Sequence, residues 1–252
     1  MKALITGASS GIGYEMAKYL SALGYDIIAV ARDLARLEKL KSEAAGEVQV
    51  ITEDLSQEKN CMDLYEKLKN QGIDLLINNA GFGLYGEFLD ADLERELSMI
   101  HTNISALHIL TKLFYRDMAA KNRGTIMNVA SVAGFMPGPM MAGYYASKAY
   151  VIRLTRAIRE EILARKSLVR VSVLCPGPVD TRFNQTAEVE KDLKGLSAAY
   201  VAKYAVDRML KGRFMIVPGL SIKAAWIFAK IFPESMTAKG AYYMQKKKSK
   251  VK

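Results

Sequence analysis

What most constrains this chain is an alternation of short apolar runs with helical stretches, sustained over about 217 residues. The runs fall at 3–6, 26–31, 48–52, 73–77, 124–130, 168–174 and 214–217. They are nearly continuous in apolar residues instead of alternating with polar ones, which marks strands buried on both faces. The intervening stretches carry helical spacing, as Ile12, Met16, Leu20 and Leu23 do in the first. A strand can pair in parallel with its predecessor only after a long crossover, and helices supply it. The expected class is therefore α/β, a doubly wound parallel sheet in three layers. No repeat, linker or shift in composition divides the 252 residues, so one domain is expected, with a C-terminal extension at 220–252.

The first apolar run leads into Thr6-Gly7-Ala8-Ser9-Ser10-Gly11-Ile12-Gly13 and then into the first helical stretch. A glycine loop between strand and helix aims backbone N–H groups at a phosphate near the positive helix end. Asp54 follows the third run, at the strand end where open α/β sheets bind ligands, and capping a helix is its other reading. The fourth run ends in Asn78-Asn79-Ala80-Gly81. Asn103 falls inside a helical region spanning 90–121, where asparagine is mildly unfavourable.

Ser131 follows the fifth run, and a Gly/Pro-rich stretch to Gly143 precedes a helix expected to reach about Lys166. Tyr144 and Lys148 are four apart on that helix and so share a face. A cation close to a phenol favours the phenolate, which would lower Tyr144 from its ordinary value near 10. Tyr145 has Ala149, not a base, at the same spacing. A tyrosine so placed can exchange protons with an alcohol or carbonyl, and the Ser131 hydroxyl could donate to the same oxygen.

Composition removes other classes. Two distant cysteines, Cys61 and Cys175, and two histidines, His101 and His108, match no metal spacing, so no metal is expected. Five lysines among the last seven residues carry much of the net charge of +10, and no basic–aromatic face suggests nucleic acid. No apolar run reaches the roughly 18 residues of a membrane span, and the chain starts directly into a strand, so a cytoplasmic location is expected.

Taken together these motifs resemble the single-domain branch of the short-chain dehydrogenase/reductase family. The likeness covers about residues 2–217 and rests on Thr6–Gly13, Asp54, Asn78–Gly81, Asn103, Ser131, Tyr144 with Lys148, and Pro176-Gly177 with Thr181. It implies a Rossmann-type sheet and a nicotinamide cofactor that exchanges hydride with the substrate carbon. It also implies Tyr144 as general acid/base, with Lys148 lowering its pKa and binding the cofactor's ribose. Ser131 would orient the substrate oxygen, and Asn103 would hold a water linked to Lys148. The cofactor would lie along Gly7, Ser9, Ser10, Gly11, Ile12 and Gly13, with Asp54 and Leu55 at the adenine. Asn79, Ala80 and Gly81 would support the ribose, and Pro176, Gly177, Val179 and Thr181 the carboxamide.

Beyond the motifs, the residues suggest finer choices. Arg32 follows the uncharged strand end Ala29-Val30-Ala31, while Asp33 is placed to cap the next helix; this favours NADPH over NADH. Ser131, Phe135, Met141 and Phe183 are candidate substrate contacts, which would fit an apolar carbonyl or alcohol; packing away from the site is the other reading for the apolar three. Residues 183–195 lack a core pattern and read as a flap. The apolar segment 220–232 reads first as a pocket cover, then as a subunit interface, then as a membrane-surface helix. A homodimer or homotetramer is expected. Alternatives are a sugar-type or nucleotide-linked substrate, or a nucleotide-binding regulator without chemistry.

Overall fold

The computed structural model describes residues 1–181, 183, 187, 195–219, 222–223 and 233–246. Its centre is a parallel sheet of seven strands: β1 (Lys2–Thr6), β2 (Asp26–Ala31), β3 (Val48–Thr52), β4 (Ile73–Asn78), β5 (Thr125–Val129), β6 (Arg170–Leu174) and β9 (Met215–Ile216). Their order across the sheet is β3-β2-β1-β4-β5-β6-β9. The chain winds outward from β1 to β3 on one side, then returns to β4 on the other. The order thus reverses between β1 and β4, where loops leave in opposite directions and open a crevice.

The period of two along each strand builds a core on both faces. Ile5, Ile27, Ala29 and Ile77 share one cluster with Met16 and Leu20 of α1 (Gly11–Ala22) and with Val206 of the helix Ala198–Leu210. Their neighbours Leu4, Ile28, Val30 and Leu76 pack on the opposite face. There they meet Leu64 of α3 (Glu58–Leu68) and Phe114 of α5 (Leu107–Ala120). The remaining early helices are α2 (Leu34–Glu43), α4 (Leu93–Ile100) and α6 (Ala142–Ala164).

Polar side chains also cross the core. Asn78 Nδ2 donates to Thr111 Oγ1 and to Asn128 Oδ1, both at 2.9 Å, and Asn128 Nδ2 donates to Thr155 Oγ1 at 3.1 Å. These buried bonds fasten the ends of β4 and β5 to α5 and α6, directly beneath the crevice. Buried groups of this kind are costly unless paired, so the pairing fixes one arrangement.

Three departures from the sequence reading matter. Residues 90–121 do not form plain helix: α4 and α5 are separated by a π-helical turn, His101–Ala106, with Asn103 at its centre. A two-stranded parallel pair, β7 (Val179–Asp180) with β8 (Leu196–Ser197), lies beside the main sheet. A helix at Glu234–Lys246 follows Pro233, where the sequence shows only mixed lysines, tyrosines and small residues. Most of the expected flap at 183–195, nearly all of the apolar segment 220–232 and the lysines beyond 246 lie outside the described residues.

Candidate active site

The glycine loop is shaped by close approach. Gly7 (φ +66°) and Gly11 (φ +57°) occupy the left-handed region, where only glycine is unstrained. A Cβ on Gly13 would overlap Asn79 Nδ2 and stand 2.5 Å from the Gly7 carbonyl oxygen. Asn79 is the brace: Nδ2 donates to the carbonyls of Thr6 and Gly7, both at 3.1 Å. The Thr6 hydroxyl answers by accepting from the backbone N–H groups of Asn79 and Ala80, both at 3.0 Å. Ser10 precedes α1 in extended conformation and makes no side-chain cap bond, so the first-turn N–H groups stay available to a ligand. Gly13→Ala is expected to destabilise the fold by about 1–3 kcal/mol through this overlap, against a small gain in helix propensity. Thermal unfolding with and without cofactor would measure it.

The loop forms one end of a cavity of about 720 Å³. Gly7, Ser9, Ser10, Gly11, Ile12, Arg32, Asp54, Leu55, Asn79, Ala80 and Gly81 line it, as do Pro176, Gly177, Val179 and Thr181. At its other end stand Ser131, Met141, Tyr144, Lys148 and Phe183. Residues scattered over 177 positions of sequence are thus gathered on one wall system, because the loops after β1, β2, β3, β4, β5 and β6 all open on the same edge of the sheet. Such a volume suits a ligand of cofactor or drug size.

Ser131 stands at the end of β5 in extended backbone, and its Oγ accepts from the Ala133 N–H at 3.2 Å. The same hydroxyl reaches the Pro176 carbonyl at 3.5 Å and lies near enough to the Tyr144 phenol to act on its proton affinity. Tyr144 and Lys148 occupy the buried face of α6 with Ser147 and Val151, as their spacing requires. The Lys148 ammonium lies 5.8 Å from the Tyr144 ring centroid, and Nζ donates to the Val129 carbonyl at 3.1 Å. Around the phenol sits an apolar shell of Met99, Ala133, Met141, Phe82 and Phe183, the last with its ring centroid 5.2 Å away.

A family model described as short chain dehydrogenase matches residues 1–192. The chain belongs to the short-chain dehydrogenase family. An uncharacterized oxidoreductase of Staphylococcus epidermidis is 34% identical over 212 residues, which cover 82% of this chain and 90% of that protein. A short-chain dehydrogenase from Sphingobium yanoikuyae, solved with NADPH, superposes with a TM-score of 0.83 at 28% identity, covering 91% of this chain and 92% of that one. A Burkholderia phymatum short-chain dehydrogenase/reductase solved with NAD gives 0.80 at 26%, covering 89% and 91%. As a member of this family the protein is an oxidoreductase of Rossmann fold, and a nicotinamide cofactor fits its glycine cradle.

Within this short-chain dehydrogenase, the electrostatics depart from the simple expectation for Tyr144. Burial pushes its phenol up to about 12, with the nearby Ser131 hydroxyl opposing the rise. Lys148 is itself pulled down to about 8 by burial, opposed by Cys175. The ammonium is turned to a strand-end carbonyl, so it does not hold the phenol below its ordinary value in this state.

Other residues take different tasks from those expected. Asn103 is fully buried, and its Nδ2 donates to Phe82 O at 2.9 Å and to Ser147 Oγ at 3.0 Å, while Oδ1 accepts from Phe82 N at 3.0 Å. One amide hydrogen holds the loop after β4 and the other holds α6 at Ser147, so any water linked to Lys148 needs another partner than these hydrogens. The widened π turn is what aims Asn103 across that gap. Phe135 is not on the cavity wall: it packs against the cluster of Ala130, Val151, Ile152 and Val173, on the far side of the 3₁₀ turn Val132–Phe135. Asp54 caps no helix, since α3 begins only at Glu58; Oδ1 accepts from Ser56 N at 3.0 Å and shapes the turn. Gly13 lies beneath the cradle instead of on the wall.

Phe82, Tyr145 and Gln245 line the cavity without having been expected there. Phe82 directly follows the Asn78–Gly81 motif, and that adjacency is the sequence signal for it. Gln245 had no local signal, because nothing in the sequence brings residue 245 back to the site. Among the described residues no helix is long and apolar enough to cross a membrane.

Proposed function

We propose that the protein is an NADPH-dependent oxidoreductase that interconverts a carbonyl and a secondary alcohol on a substrate with an apolar body. The observation that carries this reading is a buried phenol, Tyr144, on the wall of one cavity with the Ser131 hydroxyl, Lys148 and the glycine cradle. Bound there, the nicotinamide cofactor would supply the hydride. Ser131 donates to the substrate oxygen and holds it against Tyr144, which gives its proton to the developing alkoxide. A phenol raised to about 12 stays protonated at neutral pH, the form needed for reduction. Met141 and Phe183 exclude water from the substrate's apolar part.

The preference for NADPH rests on the loop after β2. Asp33 is occupied twice: Oδ1 accepts from Arg36 N at 3.1 Å as the cap of α2, and Oδ2 pairs with Arg36 Nε at 3.0 Å. Asp33 and Arg36 also line the cavity, but with both carboxylate oxygens engaged by Arg36 the charge of Asp33 is balanced where a free carboxylate would bind the ribose hydroxyls and repel a 2′-phosphate. Arg32 lines the cavity beside it, with a guanidinium suited to phosphate oxygens. A charge-assisted contact of this kind is worth roughly 1.5–3 kcal/mol, about ten- to a hundredfold in affinity. Fluorescence titration is expected to give that preference for NADPH, with Arg32→Ala losing most of it and Ala31→Asp reversing it. Equal affinities in the unchanged protein would refute the cofactor assignment. The substrate class is tested by NADPH oxidation against ketones, aldehydes and 3-oxoacyl compounds, of which the apolar ketones are expected to be consumed.

A further inference from the structure

We propose that Gln245 and Tyr145 form a subsite for a hydroxyl group that the substrate carries away from its reacting carbonyl. This rests on the carbonyl reading above and narrows its substrate class to hydroxylated apolar ketones, or the corresponding diols.

The helix Glu234–Lys246 brings the chain's C-terminal part back onto the cavity. Its end is fixed there by the Tyr85 hydroxyl, which donates to the Gln245 main-chain carbonyl at 2.8 Å. The Gln245 side chain lines the cavity, and the residue is only 3% exposed. Its Nε2 donates to the Tyr145 hydroxyl at 2.8 Å, while Oε1 accepts no hydrogen bond and is out of reach of water. A buried carbonyl left unpaired is unfavourable, and such groups in native structures call for an explanation. A substrate group that reaches it with a small adjustment of the side chain would relieve that cost.

The chemistry of that group follows from what the pair offers. Oε1 is an open acceptor, and the Tyr145 hydroxyl, having accepted from Gln245, still has its own proton to donate. A hydroxyl is the simplest group that both donates and accepts. A carboxylate would face Oε1 with no hydrogen to give, and an ammonium would leave the Tyr145 proton without an acceptor. Rotating the amide by half a turn exchanges its nitrogen and oxygen but again leaves one polar position open, which a hydroxyl also fills. The Tyr145 ring stands edge-on to that of Tyr144, with centroids 6.2 Å apart, so the subsite is beside the proton donor and not at it. Phe82, Met141 and Phe183, which cluster with both tyrosines, give the same cavity an apolar wall. Gln245 is then a specificity residue: it selects the substrate without touching the reacting oxygen.

The test compares 2-octanone with 8-hydroxy-2-octanone, using the full chain and NADPH. The ratio of kcat/KM is expected to favour the hydroxylated ketone about tenfold, and to fall to about one in Gln245→Leu. Tyr145→Phe, which leaves the helix contact at Tyr85 intact, should lower the ratio too and serves if the leucine variant folds poorly. Binding of both compounds to the NADPH complex is followed in parallel by thermal shift, which needs no turnover. Equal shifts and equal turnover for the two compounds would overturn the subsite, as would a preference that survives Gln245→Leu. Selective binding of the hydroxylated compound that is lost in Gln245→Leu, with neither compound reduced, would keep the subsite and overturn the carbonyl reading instead.

Discussion

Lys148→Met is expected to yield a protein that is more stable than the parent at neutral pH and far less active. The stability gain follows from the sign of the lysine's shift. Burial lowers Lys148 from its ordinary 10.5 to about 8, so between those values the unfolded chain binds the extra proton and the folded chain does not. The cost of holding the charge is fully present below pH 8 and fades as the pH rises towards 10.5. Removing the ammonium should therefore stabilise most below pH 8, with the advantage shrinking across that window. Its upper bound is about 3 kcal/mol from the size of the shift, offset in part by losing the bond to the Val129 carbonyl. Thermal unfolding at a series of pH values would show it, and a uniform loss of stability would contradict the assignment.

The loss of activity comes from the same charge. A cation within several ångströms of a phenol shifts its proton affinity by about 1–3 units once the two are brought into register, which corresponds to about ten- to a thousandfold in proton transfer. Lys148 is also the residue expected to hold the cofactor's ribose, so the variant should bind NADPH more weakly. That stability and function pull in opposite directions here is the usual mark of a functional group kept at structural cost.

The architecture was legible because its signals are local and redundant. Seven apolar runs marked the seven strands of the main sheet, and near-continuous hydrophobicity announced burial on both faces. Strand ends told where Asp54, Asn79 and Ser131 would stand, since loops at one edge of a parallel sheet must share a cleft. Spacing alone put Tyr144 and Lys148 on one face of α6. What escaped depended on distance or on geometry without a sequence signature. The π turn at Asn103 differs from α-helix by one residue's advance, which no periodicity over so short a span reveals. Phe135 and Met141 are both apolar and both precede α6, yet the 3₁₀ turn sends one to the core and the other to the cavity. Gln245 needed a tertiary contact across 100 residues of chain to meet Tyr145. The phenol's raised pKa was missed because the sequence gives a neighbour's charge but not the burial that outweighs it.

The central claim is that Tyr144 is the proton donor of a carbonyl reduction. It is tested most directly by the NADPH-dependent kcat of Tyr144→Phe, with NADPH affinity measured on the same preparation. The substitution removes one hydroxyl from a ring that keeps its contacts with Met141 and Phe183, so the cleft and the cradle should persist. The expected result is a fall in kcat of about a hundred- to ten-thousandfold, the usual worth of a general acid, with NADPH binding nearly unchanged. Retention of kcat to within a few-fold, with NADPH still bound, would contradict it.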